Sequence, residues 1–423
     1  MPKSIDQIIR DASDNPYNIP LFGYHEWRDL CQEYKTEGEL HPGLDVILPA
    51  IHKHISTEKP LLPITRPTER EMESAFRHIE SARVTDYISK NFDPESVRNK
   101  FNERVDISAI ISTTHTHNLV SGYWHNDNRY KCPHQSSPST FDVWNEETLT
   151  RRFRSMFLYL WREFKNEENP IDLTKYRSMF RLSGYVATQF KPLVAKVVYD
   201  HFRAKRVIDI SSGWGDRLAG FYCSNAEEYI GCDPNGESYE LYKQQCLAYE
   251  SILDTPLFPV ETVFTDHGDW FECVGNKRVR IYNRPAEDVE WTAIVEQMHD
   301  LMFTSPPYFG IEKYAKGQSD EDRQSWSRYS EYDAWRDGFF YPVMDSMSKV
   351  CKQTLINIVD PVVSGQRYPI EDDIRSRYGI DDILGMKMSR RPITREGSED
   401  KFIVEGSAVD FIEPVYILNN SPS

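Results

Sequence analysis

The chain of 423 residues lacks any paired cysteine spacing: its seven cysteines are scattered, which excludes a disulfide framework and suits a reducing compartment. It lacks an apolar run long enough to span a bilayer, so no membrane partner is expected. Its first residues, Met1-Pro2-Lys3-Ser4, lack the apolar core of a signal peptide. These absences leave the cytoplasm as the expected compartment. Positive charge is also short, with 50 basic against 66 acidic residues and a net charge of -16. A field of that sign repels a polyanion at long range, so any nucleic acid must be held by basic residues gathered locally. Finally, no glycine turn ends in the Gly-Lys-Ser/Thr of a phosphate loop, and none has the dinucleotide spacing.

What is present suits two or three domains. Residues 1 to about 105 read as polar and mostly helical, with proline turns at Asn15-Pro16, Lys59-Pro60 and Arg66-Pro67 and a helix over Glu69 to Asn91. From Ser112 to Ser137 the texture becomes loop-like, crowding His115, His117, His125, Cys132 and His134 among Tyr123, Trp124 and Tyr130. Zinc could use such ligands, but the spacing fits no standard finger and only one is a cysteine. A hydrogen-bonded aromatic loop is the plainer reading, a base-stacking surface the functional one, and no metal is expected. Asn145-Glu146-Glu147 looks like a helix start, leading to about Phe164. That helix carries Arg151, Arg152 and Arg154 opposite an apolar stripe. Residues 1–170 thus form a helical accessory or substrate-recognition region, ahead of a second domain over 171–423.

The second domain alternates. A helix is expected over 183 to about 203, then a β-branched strand Arg206-Val207-Ile208-Asp209-Ile210 and a turn Ser211-Ser212-Gly213-Trp214-Gly215-Asp216-Arg217-Leu218. Strand, glycine turn and helix form the ligand-binding corner of doubly wound α/β sheets. A second strand, Glu228 to Cys232, closes on Asp233, which can accept ribose hydroxyls, cap the helix from Glu237 to Tyr249, or do both. Val279 to Tyr282 makes a third strand and Asp300 to Phe303 a fourth. The alternation predicts a parallel sheet with right-handed crossovers.

The fourth strand runs into Thr304-Ser305-Pro306-Pro307-Tyr308. Two prolines stiffen the backbone and supply no N–H groups, so the carbonyls of Ser305 and Pro306 are expected to be free acceptors. With a hydroxyl and an aromatic ring beside them, they suit a planar group bearing an exocyclic amine.

Thr-Ser-Pro-Pro-Tyr resembles the catalytic motif of the S-adenosylmethionine-dependent DNA amino-methyltransferases, which act on N4 of cytosine or N6 of adenine. Asp-x-x-x-Gly-x-Gly resembles the first motif of methyltransferases, and Gly-Trp-Gly-Asp-Arg-Leu is similar to many viral and bacterial amino-methyltransferases. The resemblance implies a doubly wound, seven-stranded, Rossmann-like sheet in a bacterial or virus-infected cell. It implies S-adenosyl-L-methionine as cofactor, held by Asp209, Ser211, Gly213, Gly215 and Asp233, with Glu287 and Asp288 near the adenine. Ser305, Pro306, Pro307 and Tyr308 would be catalytic, and Tyr308 with Phe309 would stack on a flipped base.

Beyond this motif, 309–332 reads as an aromatic and polar lid, followed by a helix from Tyr332 to Val350 and a strand from Thr354 to Val359. Ile383 to Met388 and Glu413 to Leu418 fit a terminal antiparallel pair. Between them, Arg390, Arg391 and Arg395 form the strongest basic patch, a candidate phosphate contact. The cofactor and catalytic motifs are too close to enclose a target-recognition domain. Recognition falls to residues 1 to about 170, the lid or the Arg391 loop. The substrate expected is nucleic acid, DNA first, with RNA, a nucleotide, a modified base or a non-catalytic role as alternatives.

Overall fold

The computed structural model describes residues 64, 66–114, 116–135, 137–145, 184–254, 259–388, 403–404, 407–408 and 410–420. The chain divides into two compact units, Met1–Arg66 with Asn126–Ala187, and Pro67–His125 with Thr188–Ser423. The expected division at residue 170 differs from this one. The segment 67–125 belongs with the sheet because it contributes strands to it.

That sheet contains β1 (Ile88–Ser89), β2 (Ala109–Ile111), β3 (Arg206–Asp209), β4 (Glu228–Cys232), β5 (Val263–Asp266) and β6 (Trp270–Val274). It continues with β7 (Arg278–Tyr282), β8 (His299–Thr304), β9 (Cys351–Asn357), β10 (Asp382–Lys387) and β11 (Asp410–Asn419). The spatial order is β1-β2-β10-β11-β9-β8-β3-β4-β7-β6-β5. Strands β9, β8, β3, β4 and β7 are mutually parallel, and β11 runs antiparallel between β9 and β10. These seven central strands are the doubly wound, Rossmann-like sheet expected from the sequence. Their apolar residues, such as Val207, Ile208, Leu301 and Phe303, are fully buried, as strands covered on both faces require.

The principal helices are α1 (Glu69–Glu80), α2 (Leu119–Lys131), α3 (Pro192–His201), α4 (Asp216–Tyr222), α5 (Gly236–Leu253), α6 (Tyr341–Val350) and α7 (Ile370–Arg377). Three departures from expectation have physical causes. Helix α1 begins at a Thr68–Glu71 capping box and stops at Glu80, because Ile88 and Ser89 pair with β2. The stretch expected to be loop-like contains α2, whose inward positions Ser121 and His125 are polar and so erase the apolar period. The hairpin β5–β6, inserted before β7, extends the sheet at its far edge.

In the other unit, the short helix Thr140–Trp144 starts at a Ser139–Asp142 capping box, and Ser139 bridges Tyr185. The helix expected from Asn145 to about Phe164 lies outside the described residues except at Asn145.

Candidate active site

From β3 the chain winds towards β4 and β7, and from the adjacent parallel β8 it winds towards β9. A doubly wound sheet opens a crevice at such a switch point, beyond the carboxyl ends of the strands. Here those ends are Asp209 with its glycine turn, and Thr304 with the Ser-Pro-Pro-Tyr turn.

Asp209 ties the two together. Its Oδ2 accepts from Arg217 Nε at 2.8 Å and from the Tyr229 hydroxyl at 2.8 Å. Its Oδ1 accepts from Thr304 Oγ1 at 3.0 Å and from the Ser211 N–H at 3.2 Å. Asp209, Arg217, Tyr229 and Thr304 are buried and Ser211 half-buried, and Arg217 also donates to the Ser211 carbonyl. The sequence places Asp209 among the cofactor contacts. The structure spends its acceptor capacity on neighbouring residues, so it orients the turns instead. Arg217, quoted only as part of the motif, is its charge partner.

Ser211 carries the link further, with Oγ 2.8 Å from Thr304 Oγ1 and donating to the Ser305 carbonyl at 3.0 Å. The Ser305 carbonyl is therefore not free, contrary to expectation. The Pro306 carbonyl accepts no hydrogen bond among the described residues. Tyr308 is half-buried, its hydroxyl 3.4 Å from the Asn357 carbonyl and close to the Ser305 side chain. Phe309, expected to stack on the target, is a core residue. It is buried against Tyr332, Trp335 and Tyr368, with ring centroids 5.6, 6.2 and 5.1 Å away, and anchors the turn from below.

Gly213 and Gly215 have φ of 59° and 68°, a region that side chains rarely tolerate. A Cβ on Gly215 would collide with Gln245 and His125, whereas one on Gly213 would meet only the Ser211 carbonyl at 3.6 Å. Gly213 thus faces open space while Gly215 is packed from behind. His125, one of the possible zinc ligands, does that packing: its Nε2 lies 3.2 Å from Gln245 Oε1, and burial pushes its pKa down to about 4. His117 stacks near His78, and His134 lies against Tyr185. Cys132 is buried, and His115 lies outside the described residues. Among the described residues no group of three or more His, Cys, Asp or Glu is placed to hold a metal.

Asp233 closes the turn from the end of β4. Its Oδ2 accepts from the Gly213 N–H at 2.8 Å and its Oδ1 from the Asn235 N–H at 2.9 Å. Burial pushes its pKa up to about 6 against the pull of those two donors. Each carboxylate oxygen keeps acceptor capacity for a ligand hydroxyl.

The segment after Tyr308 crosses these turns. Tyr314 lies 5.8 Å from the Trp214 ring, and Trp326 Nε1 donates to the Tyr314 carbonyl at 2.8 Å. Asp320 accepts from the Gly236 N–H at 2.8 Å, and Arg323 donates to the Asn283 carbonyl. Arg328 pairs with Asp288 at 2.9 and 3.1 Å and with Glu287 at 2.8 Å, while Tyr329 donates to Glu287 at 3.0 Å. Glu287 and Asp288, expected near an adenine, are thus engaged by the lid. The sequence reading missed Asn283 and placed Gln318 only as part of the lid; among the described residues their Oδ1 and Oε1 are buried without partners. A signal for the first existed: Asn283 directly follows β7.

A nucleoside-bearing cofactor fits these features: an acid for hydroxyls, a glycine without a Cβ, and two buried amide oxygens awaiting a donor. Arg390, Arg391 and Arg395, like Arg151, Arg152 and Arg154, lie outside the described residues. Among the described residues no helix is long and apolar enough to cross a membrane.

No family model matches the sequence, and no curated protein matches it. Among solved structures, the chain is similar to a SAM-dependent O-methyltransferase from Thermotoga maritima at 12% identity and TM-score 0.28, covering 56% of this chain and 68% of that one. It is similar to a human methyltransferase 10 domain containing protein at 10% identity and TM-score 0.29, covering 56% and 84%. It is also similar to Trm1 from Pyrococcus horikoshii in complex with S-adenosyl-L-methionine, at 13% identity and TM-score 0.28, covering 55% and 56%.

Proposed function

We propose that the chain transfers a methyl group from S-adenosylmethionine to an exocyclic amine of a nucleic-acid base, cytosine N4 or adenine N6. The observation that carries this reading is the convergence of the Ser305-to-Tyr308 turn, the glycine turn and Asp233 at one crevice. When bound, the cofactor would supply an electrophilic methyl on a sulfonium. Asp233 would accept the ribose hydroxyls, Gly213 would admit the ligand close to its backbone, and Asn283 and Gln318 would accept from the adenine amine.

An aromatic amine is a poor nucleophile because its lone pair is drawn into the ring. The Pro306 carbonyl and the Ser305 hydroxyl would accept its N–H groups, pull the nitrogen towards tetrahedral and release the lone pair. Tyr308 would lie against the face of the base, which must leave its stack to reach the turn. Catalysis then rests on positioning and electrostatics. Ser211 and Asp209 support it by fixing the Ser305 carbonyl and Thr304.

A second reading takes RNA or a free nucleotide as the target rather than duplex DNA, and of these the free nucleotide suits the net charge of -16 better, since it is no polyanion. Calorimetric titration with S-adenosylmethionine, then tritiated methyl transfer to duplex DNA, single strands, RNA and nucleotides, separates them. Label on duplex DNA supports the first reading, and label only on RNA or nucleotides supports the second. No binding at millimolar cofactor ends both.

A further inference from the structure

The last strand runs beside the residue that contacts the Tyr308 hydroxyl. Strand β11 enters between β9 and β10, with Val415 opposite Asn357 and Glu413 opposite Met386. Asn357 joins the two regions: its carbonyl lies 3.4 Å from the Tyr308 hydroxyl, and its side-chain amide donates to the Pro414 carbonyl at 3.0 Å. Glu413 is the next residue along. It is half-buried, and among the described residues its carboxylate has no hydrogen bond or ion pair.

Lys100 and Lys191 act on Glu413, and Glu413 acts on Tyr308. Tyr308 feels a second carboxylate, Glu312, but that one is already engaged by the Thr188 N–H at 3.2 Å and by the Tyr314 hydroxyl. Burial raises the Glu413 carboxyl above its ordinary range, against the opposing pull of Lys100 and Lys191. The carboxylate that acts on Tyr308 is therefore a stronger base than an ordinary glutamate. Ser305 cannot fill that role, because a neutral hydroxyl does not hold a second proton near pH 7.

We propose that Glu413 is the proton acceptor for the target amine, an inference that rests on the methyltransferase reading. The amine nitrogen uses its lone pair to form a bond to the methyl carbon. The carbon–sulfur bond breaks with its pair remaining on sulfur, and the nitrogen is left positively charged. One N–H proton then passes to the Glu413 carboxylate, its electron pair returning to nitrogen, and the resulting carboxylic acid gives that proton to water. The carboxylate also opposes the positive charge as it develops beside the Pro306 carbonyl.

The test follows the Glu413 carboxyl by carbon NMR, assigned through Glu413→Gln, in protein saturated with S-adenosylmethionine or with S-adenosylhomocysteine. A unit positive charge within ~10 Å at an effective dielectric of ~20 lowers a carboxyl pKa by about 1 unit. The Glu413 pKa should therefore be about that much lower with the sulfonium than with the thioether, and equal values overturn the proposal. Glu413→Gln should bind both ligands as wild type does and lose about 10²-fold or more in methyl transfer, with partial recovery in Glu413→Asp. A Glu413→Gln protein that keeps the wild-type rate also overturns it. Failure of the wild type to bind S-adenosylmethionine would instead remove the methyltransferase reading beneath it.

Discussion

Asp233 allows stability and ligand binding to be separated in one substitution. Its carboxyl sits at about 6 because burial penalises the charge, against an ordinary value of 3.8. The folded state therefore holds this proton more tightly than the unfolded chain does. This group favours folding most below pH ~4, and that contribution is lost as pH rises through ~6. The gap corresponds to roughly 3 kcal/mol of destabilisation at neutral pH. Asp233→Asn removes the charge and relieves that cost, but it also turns one acceptor into a donor facing the Gly213 or Asn235 N–H. The lost hydrogen bond costs about 1–3 kcal/mol. The two terms nearly cancel, so urea unfolding at pH 7.5 should place the variant within about 2 kcal/mol of wild type. S-adenosylmethionine affinity should fall by roughly 1.5–3 kcal/mol, the loss of charge-assisted bonds to the ribose. Wild-type affinity should hold above pH ~6 and drop about tenfold between pH 7.5 and pH 5 as the acceptor is protonated, while the variant shows no such dependence. Calorimetry at several pH values measures both. A variant that binds normally, or a wild-type affinity flat across this window, would refute the assignment of Asp233 to the ligand.

Ser305→Ala should lower the rate of methyl transfer, measured with tritiated cofactor, while leaving cofactor affinity near wild type, because the role proposed for its hydroxyl is on the target amine. Arg217→Met should cost about 3–5 kcal/mol in urea unfolding, since it strands the buried Asp209 carboxylate. Replacing both Arg390 and Arg391 by alanine should weaken nucleic-acid binding and reduce its salt slope by about 2, with an unchanged melting temperature. Unaltered salt dependence would rule that loop out.

Much of the sheet is legible in the sequence. Short β-branched runs such as Arg206-Val207-Ile208-Asp209 announce strands, and Gly213, Gly215, Pro306 and Pro307 mark turns, because strand period and turn chemistry act within a few residues. Strand register and side-chain pairing do not. Helix α2 was hidden because two of its inward positions, Ser121 and His125, are polar. Phe309 read as a base-stacking ring and is core, because Tyr332 and Tyr368 close over it from later in the chain. Glu287 and Asp288 read as ligand contacts, yet Arg328, 40 residues beyond Asp288, engages both. Asp209 was legible as a motif residue, but its use depends on Arg217, Tyr229 and Thr304 converging on it from α4, β4 and β8. The clearest case is Glu413, which comes to act on Tyr308 only because β11 inserts antiparallel between β9 and β10. The chain's own apolar pattern determined which segments became strands, and its glycines and prolines where the turns lie. The tertiary structure alone decided which polar groups meet there, because those contacts join residues whose separation along the chain carries no local signal.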